Sequence, residues 1–321
     1  MKILVTGGHG FIGSNFISYW NRKYPHDEIV NLDKLSYAAN TKHLSYLEDE
    51  ANYTFVKGDI ASYELMEGLT KDMDFVINFA AETHVDNSIT DSTQFVNSNI
   101  IGVHSILEAV RKNEVRFHQV STDEVFGSLP YSSNDKFHEN SPYNPKNPYS
   151  ATKASADFLV RAYFNTYDLP LTISNCGNNF GPRQHPEKLI PKTILNAING
   201  KKIPVYGKGV QIRDWVFVED HCDALDVILK KGVFGETYLV GANNEHRNID
   251  VVIQILDLLG KKHDLIEYVT DRPGHDVRYA LDSSKTQESL GWRVKYKFTD
   301  ALSKTIEHYT NNANLYQLPS S

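Results

Sequence analysis

Tyr149 and Lys153 are the pair of side chains whose types and spacing most clearly suggest chemistry. They lie four residues apart in a predicted helix, and this spacing places both on one helical face. Asn147 suits the cap of that helix and Pro148 its first position, so Tyr149 falls in the first turn. A nearby ammonium and the positive helix end both favour the phenolate. The pattern predicts a tyrosine base assisted by lysine, although the same spacing is frequent on solvated helix faces.

Two adjacent acids, Asp123 and Glu124, follow a predicted strand over residues 115–121. Ligands of parallel sheets bind at the carboxyl ends of the strands, so both carboxylates are expected at the edge of a binding site. Oxidation of an alcohol does not need such a pair, whereas an elimination needs one group to take a proton and another to give one. The pair therefore favours an elimination. A solvated acidic pair at the start of a loop is the alternative.

A glycine-rich turn stands between the first predicted strand and the first predicted helix. Gly7, Gly8, Gly10 and Gly13 allow a tight turn, close approach of the backbone to a pyrophosphate, and close packing of the helix on the strand. Asp33 follows about 20 residues after Gly13, where a carboxylate would hold the ribose hydroxyls of a dinucleotide. An acid at this position repels the additional phosphate of NADP. The turn and the acid together predict an NAD site, with a simple structural turn as the alternative.

Short apolar runs alternate with segments of helical periodicity through the first half of the chain. Strands are predicted over residues 2–6, 28–32, 53–56, 74–79, 115–121 and 171–175, and helices over residues 14–24, 100–111 and 149–167. This alternation predicts an α/β protein: a Rossmann-type doubly wound parallel sheet over residues 1–175, with a smaller C-terminal α+β substrate domain over residues 176–321. Within residues 212–241, the segments 214–218 and 237–240 are candidates for returning to the main sheet.

Composition argues against several classes of protein. The formal net charge of the 321 residues is −7, so no nucleic-acid partner is expected. No apolar run approaches the roughly 18 residues that span a bilayer and no signal-peptide pattern is seen, so no membrane partner is expected. Two cysteines are too few for a disulfide framework or a structural zinc site. Cys176 and Cys222 are expected to be buried thiols of a cytoplasmic protein that holds no metal.

The motifs together resemble those of the extended short-chain dehydrogenase/reductase superfamily. The resemblance rests on the glycine turn, the acid after the second strand, the segment Asn78-Phe79-Ala80-Ala81 and the Tyr149–Lys153 spacing, and it covers nearly the whole chain. It implies that residues 1–175 hold NAD and that residues 176–321 hold a nucleotide sugar. It also suggests a homodimer formed through the helices over residues 100–111 and 149–167.

Residues 121–127 are similar to the corresponding stretch of the nucleotide-sugar 4,6-dehydratases, whereas epimerases of the superfamily carry small residues in place of the two acids. Phe126 stands where a tyrosine is usual, and His9 where a small residue or arginine is usual. Further stretches narrow the resemblance to the dTDP-glucose 4,6-dehydratase family, and they cover residues 32–40, 80–86, 175–182, 186–191, 204–207, 211–215 and 271–276.

The resemblance implies a set of site residues, with no metal ligands. The residues implied in catalysis are Thr122, Asp123, Glu124, Tyr149 and Lys153. The residues implied in binding NAD are Gly7, Gly10, Phe11, Ile12, Gly13, Asp33, Lys34, Ser36, Asp59, Ile60, Phe79, Ala80, Ala81, Thr83, Asn99, Ser121, Tyr149, Lys153 and Asn178. The residues implied in binding the sugar nucleotide are His84, Thr122, Asn179, Lys188, Leu189, Pro204, Tyr206, Arg213, Asn248, Arg272 and His275.

The implied reaction is the dehydration of dTDP-glucose to dTDP-4-keto-6-deoxyglucose, in deoxysugar (rhamnose-type) nucleotide biosynthesis. Tyr149, assisted by Lys153 and Thr122, takes the proton of the glucose 4-hydroxyl as the C4 hydride passes to tightly bound NAD. Glu124 then takes the C5 proton, Asp123 protonates the departing C6 hydroxyl, and the hydride returns to C6. Three alternatives remain open: a UDP-glucose 4,6-dehydratase, a UDP-sugar 4-epimerase, and a catalytically silent NAD-binding protein.

Overall fold

A seven-stranded parallel sheet forms the centre of the computed structural model, which describes residues 1–316. The strands are β1 Lys2–Thr6, β2 Glu28–Asp33, β3 Tyr53–Lys57, β4 Phe75–Asn78, β5 Arg116–Thr122, β6 Leu171–Cys176, β7 Asn178–Phe180, β8 Ile203–Tyr206, β9 Ile212–Phe217, β10 Thr237–Val240, β11 Glu245–Arg247 and β12 Ile266–Val269. The large sheet has the order β10-β6-β5-β4-β1-β2-β3, and every neighbouring pair in it is parallel.

Helices cover both faces of this sheet. The helices of the chain are α1 Phe11–Lys23, α2 Tyr63–Thr70, α3 Val85–Thr90, α4 Thr93–Val96, α5 Gly102–Asn113, α6 Pro148–Tyr167, α7 Leu189–Ile198, α8 Val218–Lys231, α9 Asn248–Leu258, α10 Ser284–Leu290 and α11 Phe298–Asn311. Alternate residues of β1 show the two layers: Leu4 packs with α2, α5 and α6, whereas Ile3 and Val5 pack with α1 and α8. The predicted Rossmann-type doubly wound fold is confirmed.

The second part of the chain builds two small sheets, β11-β9-β7 and β12-β8. Their main core lies between β7, β9 and the helices α7, α9 and α11, where Phe180, Trp215 and Leu302 are buried together. Residues 317–321 of the predicted substrate domain lie outside the described residues. None of the helices within residues 1–316 is long and apolar enough to cross a lipid bilayer.

The two segments considered for the main sheet take different places. Thr237–Val240 pairs with β6 at the edge of the large sheet. The prediction for residues 214–218 is wrong, because Ile212–Phe217 pairs with β7 and β11 in the small three-stranded sheet. The edge of the large sheet beside β6 is already occupied by β10, so β9 finds its partners elsewhere. The chain between them, α8, packs against α1, and therefore the large sheet and its helices include residues beyond position 175.

Candidate active site

A cavity runs along the carboxyl ends of β1, β2, β4, β5 and β6. Its wall includes many of the residues predicted from the sequence: Gly7, Gly10, Phe11, Ile12, Gly13, Asp33, Lys34, Ser36, Asp59, Ile60, Phe79, Ala80, Ala81, Thr83, Ser121, Thr122, Asp123, Glu124, Tyr149, Lys153, Asn178, Asn179 and Lys188. The cavity thus brings the glycine turn, the acid pair and the tyrosine–lysine pair into one site.

The glycine turn shapes one end of the cavity. Gly7 has φ +72°, and a Cβ there would come within 2.6 Å of the backbone nitrogen of Ala80. A Cβ at Gly13 would overlap the carbonyl oxygen of Gly7. α1 begins directly after Gly10, so its N-terminal amides and the positive end of its dipole lie at the cavity wall. This arrangement fits the diphosphate of a dinucleotide.

Asp33 is held in a fixed orientation at the end of β2. Its Oδ2 accepts a hydrogen bond from the backbone N–H of His9 at 2.9 Å, and its Oδ1 accepts one from that of Leu35 at 2.8 Å. The remaining lone pairs of the carboxylate can accept the two hydroxyls of a ribose. The His9 ring packs edge-on against Phe55 of β3, with centroids 4.6 Å apart, and does not line the cavity. His9, the unusual residue in the glycine turn, therefore does not obstruct the cavity.

The acid pair lies in the short turn that follows β5. Asp123 is 1% exposed, and burial raises the pKa of its carboxyl well above the usual range, with the charge of Glu124 adding to the rise. Burial also raises the pKa of Glu124, but Arg213 and Lys188 oppose that rise. The Ser150 hydroxyl donates to Glu124 Oε2 at 3.1 Å. Burial thus favours the protonated form of both acids, and the pKa of Asp123 is the more strongly raised.

Tyr149 lies in the first turn of α6, as the cap and proline predict. Asn147 Oδ1 accepts a hydrogen bond from the backbone N–H of Ser150 at 2.9 Å, and Pro148 is the first helical residue. The expectation that the pKa of Tyr149 is lowered is wrong for this structure. Burial raises the pKa of its phenol well above the usual value, and a hydrogen bond with Thr122 only partly opposes the rise. The tyrosine is therefore a hydroxyl donor until a bound group adds positive charge beside it.

Lys153 is anchored on the sheet and not on the phenol. Its ammonium donates to the carbonyl of Val120 at 2.8 Å. Burial lowers the pKa of Lys153, while the charge of Asp157, one helical turn further along α6, opposes this. Asp157 is fully buried and accepts hydrogen bonds from Ser121 Oγ at 2.8 Å and Tyr143 OH at 2.9 Å. Sequence reasoning missed Asp157, although its spacing of four from Lys153 places both on one helical face.

Several predicted residues lie outside the cavity wall, and their roles as ligands stay predictions. These are Asn99, His84, Leu189, Pro204, Tyr206, Arg213, Asn248, Arg272 and His275. Asn99 lies behind the wall, where its side-chain amide bonds the backbone N–H and carbonyl of Glu82 at 2.9 and 3.0 Å. It therefore supports the loop after β4.

The two arginines predicted to bind the sugar nucleotide are already engaged by other groups of the protein. Arg213 is buried and donates to the carbonyls of Ile212 and Asp276, both at 2.8 Å. Arg272 stacks over the ring of Tyr206 at 4.7 Å, and its Nε lies 3.6 Å from an oxygen of Asp86. A phosphate would have to share or replace these contacts.

Asn179 and Lys188 are each held in position by a contact with another residue of the protein. Asn179 Oδ1 is 2.9 Å from His221 Nδ1, and Lys188 donates to the carbonyl of Thr83 at 3.2 Å. Burial lowers the pKa of His221 to about 3, so the ring is neutral and its Nδ1–H donates to Asn179. His221 was not predicted as a site residue, and its sequence context contains no signal for that role.

The cavity wall also contains residues that sequence reasoning did not assign: Leu32, Ala38, Ala39, Gly58, Ser98, Val120, Cys176, Gly177, Gln184, His185 and Glu187. Most are sequence neighbours of assigned residues, and that adjacency was the available signal. Cys176 ends β6, where burial raises the pKa of its thiol to about 12, so it remains protonated. Cys176 and Cys222 are both free and buried.

The chain is similar to known proteins over nearly its whole length. Residues 4–305 match the family model described as GDP-mannose 4,6 dehydratase. The low-salt glycan biosynthesis protein Agl12 of Haloferax volcanii is 48% identical, over 96% of this chain and 98% of its own. The dTDP-glucose 4,6-dehydratase of Mycolicibacterium smegmatis is 46% identical, over 99% of this chain and 96% of its own.

A solved structure gives the same result. The crystal structure of dTDP-glucose 4,6-dehydratase from Bacillus anthracis in complex with NAD has a TM-score of 0.93 and 46% sequence identity, and the match covers 98% of each chain. The resemblance inferred from the sequence motifs is confirmed. The chain belongs to the GDP-mannose 4,6 dehydratase family and, within it, to the dTDP-glucose 4,6-dehydratases.

Proposed function

We propose that this protein converts dTDP-glucose to dTDP-4-keto-6-deoxyglucose with a bound NAD that is regenerated in each turnover. The observation that supports this most directly is that Asp123 and Glu124 line the same cavity as Tyr149 and Lys153. Relatives of nearly equal length that carry the name dTDP-glucose 4,6-dehydratase support the choice of substrate. A 4-epimerase reaction would have no use for a second proton donor.

NAD fits the glycine turn, the N-terminus of α1 and the carboxylate of Asp33. When bound, NAD supplies a hydride acceptor for C4 of the sugar and the hydride donor for C6. The small side chains of Ala80 and Ala81 leave room for a flat ring above the ends of β4. Except for Asn178, we assign the predicted cofactor residues to the first domain. Except for His84 and Thr122, we assign the predicted sugar-nucleotide residues to the second.

Tyr149 and Thr122 act on the 4-hydroxyl of the sugar. Thr122 hydrogen-bonds the phenol, and both line the cavity, so one oxygen of the substrate can contact both hydroxyls. Lys153, fixed on the carbonyl of Val120, places a positive charge on the same side of the helix. Tyr149 takes the 4-hydroxyl proton, because the positive charges of Lys153 and of the bound nicotinamide favour its phenolate.

Glu124 and Asp123 carry out the elimination. The 4-ketone acidifies the C5 hydrogen, and Glu124, the acid whose ionised form Arg213 and Lys188 favour, takes that proton. Asp123, whose pKa is raised well above its usual range by burial and by the charge of Glu124, gives its proton to the C6 hydroxyl as it leaves. The products are water and an alkene, and Glu124 returns the C5 proton when C6 is reduced.

The proposal is tested by incubating the purified protein, without added NAD, with dTDP-glucose and separately with UDP-glucose. Mass spectrometry of the sugar nucleotide should show loss of one water from dTDP-glucose, much faster than from UDP-glucose. Tyr149→Phe should stop turnover, whereas Tyr131→Phe, at a half-exposed tyrosine outside the cavity, should not. An unchanged mass with inversion at C4 would contradict the dehydratase assignment. Faster loss of water from UDP-glucose would mean that the preferred substrate carries uracil and not thymine.

We also propose a homodimer formed through α5 and α6. Large apolar side chains are exposed along this face, with Ile101 47% and Phe158 55% exposed. Sedimentation should give twice the chain mass, and Phe158→Glu should shift the protein toward the monomer. Sedimentation of the unmodified chain as a monomer would contradict the proposal.

A cytoplasmic location is part of the same proposal. Both cysteines are free and buried, as expected for a protein kept in a reducing compartment. Cell fractionation should recover the protein with the cytoplasmic markers, and its recovery with secreted proteins would contradict this.

A further inference from the structure

Glu187 is a buried carboxylate of the cavity wall that the proposed chemistry does not use. It lies in the loop between β7 and α7, on the substrate side of the cavity, and its side chain is 10% exposed. Its position brings together groups from three separate segments: the loop after β2, the loop after β4, and its own loop. Glu187 thus links three loops at the wall of the cavity, and the proposed reaction does not account for this arrangement.

The carboxylate of Glu187 lies close to a phenol, two imidazoles and an ammonium. Tyr37 OH donates to its Oε1 at 3.1 Å. His84 Nε2 lies 3.6 Å and His185 Nδ1 lies 3.5 Å from its Oε2. The ammonium of Lys188 lies 3.7 Å from Oε1. Both oxygens are therefore shared between groups from opposite sides of the cavity.

These groups keep Glu187 ionised. Burial acts to raise the pKa of its carboxyl, but the nearby His185 and the charges of Lys188 and His84 outweigh burial and lower the pKa to about 2. The phenol of Tyr37 has a raised pKa, from burial and then from the charge of Glu187, so it stays a donor. Tyr37 and Glu187 thus form a charge-assisted hydrogen bond at neutral pH.

This bond connects the two walls of the cavity at its rim. Tyr37 is 49% exposed, and its loop neighbours Ser36 and Ala38 line the cofactor wall next to Asp33. The Tyr37 ring also meets His185 edge-on, with centroids 5.5 Å apart. The two walls are separated by 150 positions in the chain and are joined here by side chains. A molecule bound between them is enclosed for as long as the bond is made.

We propose that Tyr37 and Glu187 form a latch that retains the dinucleotide in the cavity between turnovers. This inference rests on the proposed function, in which NAD is regenerated in place and need not leave. Opening the latch breaks the Tyr37–Glu187 bond and separates the loop after β2 from the loop before α7. Tyr37 and Glu187 are positioning residues, because they act on the walls of the site and not on the reacting atoms.

The test measures release of NAD without any sugar nucleotide. Holoenzyme loaded with radiolabelled NAD is diluted into excess unlabelled NAD, and the bound label is followed over time. Tyr37→Phe and Glu187→Gln should each speed release about tenfold, which corresponds to about 1.4 kcal/mol. The double variant should release NAD no faster than the faster single variant, because each substitution already opens the same bond.

Two matched substitutions control for general effects. Tyr46→Phe removes a phenol that donates to Ser18 at 2.7 Å outside the cavity, and Glu67→Gln removes a surface carboxylate paired with Lys112. Neither should change the release rate. Tyr37→Phe removes one hydroxyl from a half-exposed side chain, so it tests the latch even if Glu187→Gln folds poorly.

Release rates within twofold of the unmodified protein in Tyr37→Phe would overturn the latch. Multiplied effects in the double variant would also overturn it, because they would mean that the two residues act separately. Failure of the latch is distinguishable from failure of the proposed function. An enzyme that dehydrates dTDP-glucose but releases NAD equally fast with and without the substitutions retains its function and has no latch.

Discussion

The cofactor half of the cleft, formed by the loops after β1, β2 and β4, is shaped mainly by backbone and small residues. An added Cβ at Gly7 would collide with the main chain of Ala80, and one at Gly13 would collide with the main chain of Gly7. The predicted substrate half comprises residues 184–188 at the cavity wall and the segments 204–213 and 271–276 outside it. It contains charged side chains that already contact one another. Arg272 stacks on Tyr206 and approaches Asp86, for example.

This difference implies two kinds of recognition. A backbone-lined site is preformed and offers its amides and helix dipole without rearrangement. A site of paired charges exchanges existing contacts for contacts with the ligand, and so part of the binding free energy is lost in breaking them. We therefore expect substitutions in the cofactor half to act through steric fit, and substitutions in the substrate half to act through charge geometry. Four experiments test this contrast, beginning with the largest expected effect.

Glu124 lies where the two halves meet and is the proposed base of the elimination. Its substitution should therefore leave binding in both halves intact. Glu124→Gln should lower kcat for water loss about 10³-fold, within the usual range for loss of a general base. The KM for the sugar nucleotide and the NAD release rate should change little. Asp123→Asn is the contrasting variant: it should still exchange the C5 hydrogen with solvent while losing water slowly. Full dehydration by Glu124→Gln would remove Glu124 from the mechanism.

Gly13 tests the steric basis of the cofactor half. Gly13→Ala places a Cβ against the carbonyl of Gly7, and overpacking of this kind typically costs about 1–3 kcal/mol. We expect NAD affinity, measured by titration calorimetry on cofactor-free protein, to fall by about 10- to 100-fold. The matched control is Gly68→Ala in α2, where no atom lies within 4 Å of the added Cβ. Equal effects of both substitutions would contradict the steric argument.

Arg272 tests the charge geometry of the substrate half. Arg272→Lys retains the positive charge but loses the planar fork, so the KM for the sugar nucleotide should rise about tenfold with little change in NAD release. The control is Arg293→Lys, at a guanidinium that bonds the backbone carbonyl of Trp292 at 2.7 Å. If Arg272→Lys changed NAD release and not KM, the proposed division of the cleft would be wrong.

Two buried histidines should make the free energy of unfolding depend on pH. Burial lowers the pKa of His118 in β5 to about 3 and that of His221 in α8 to about 3, whereas an unfolded histidine titrates near its model value of 6.5. Below that value the unfolded chain binds protons that the folded chain does not, so the free energy of unfolding falls as pH falls. Each histidine should contribute about 2 kcal/mol of loss by about pH 5.

Urea unfolding between about pH 7.5 and 5 measures this loss. His118→Gln should weaken the pH dependence of the free energy of unfolding, because Gln does not titrate. Gln is chosen because the His118 ring forms hydrogen bonds with Thr172 and Ser174, and a polar side chain is needed there. A single transition that shifts as a whole would show that the two halves unfold together. Two transitions with different pH dependence would show that they are separate folding units.

The sequence predicted the cofactor half well because its signals are local. The glycine turn, the acid after β2 and the cap of α6 each depend on residues that are close in the chain. The alternation of strands and helices then requires their carboxyl ends to meet at one edge. The predicted helix over residues 149–167 accordingly differs from Pro148–Tyr167 by one residue at its start.

The substrate half was less predictable because its order comes from contacts between distant segments. Residues 214–218 look like a strand for the large sheet, yet their neighbours are β7 and β11. The raised pKa of Tyr149 and the anchoring of Lys153 on Val120 depend on burial and on the position of β5. Neither the direction of this pKa shift nor the contact of Lys153 with Val120 can be predicted from the spacing of Tyr149 and Lys153.

The sequence by itself determined the chemical groups, the family and the edge of the sheet at which the groups meet. The tertiary structure alone decided which charges are paired, which of the two acids has the more strongly raised pKa, and that Tyr37 and Glu187, 150 positions apart, meet across the cavity. The physical reason is the distance along the chain over which each kind of interaction acts. Turn and cap preferences act over a few residues, whereas desolvation and ion pairing depend on every group that packs nearby, whatever its place in the chain.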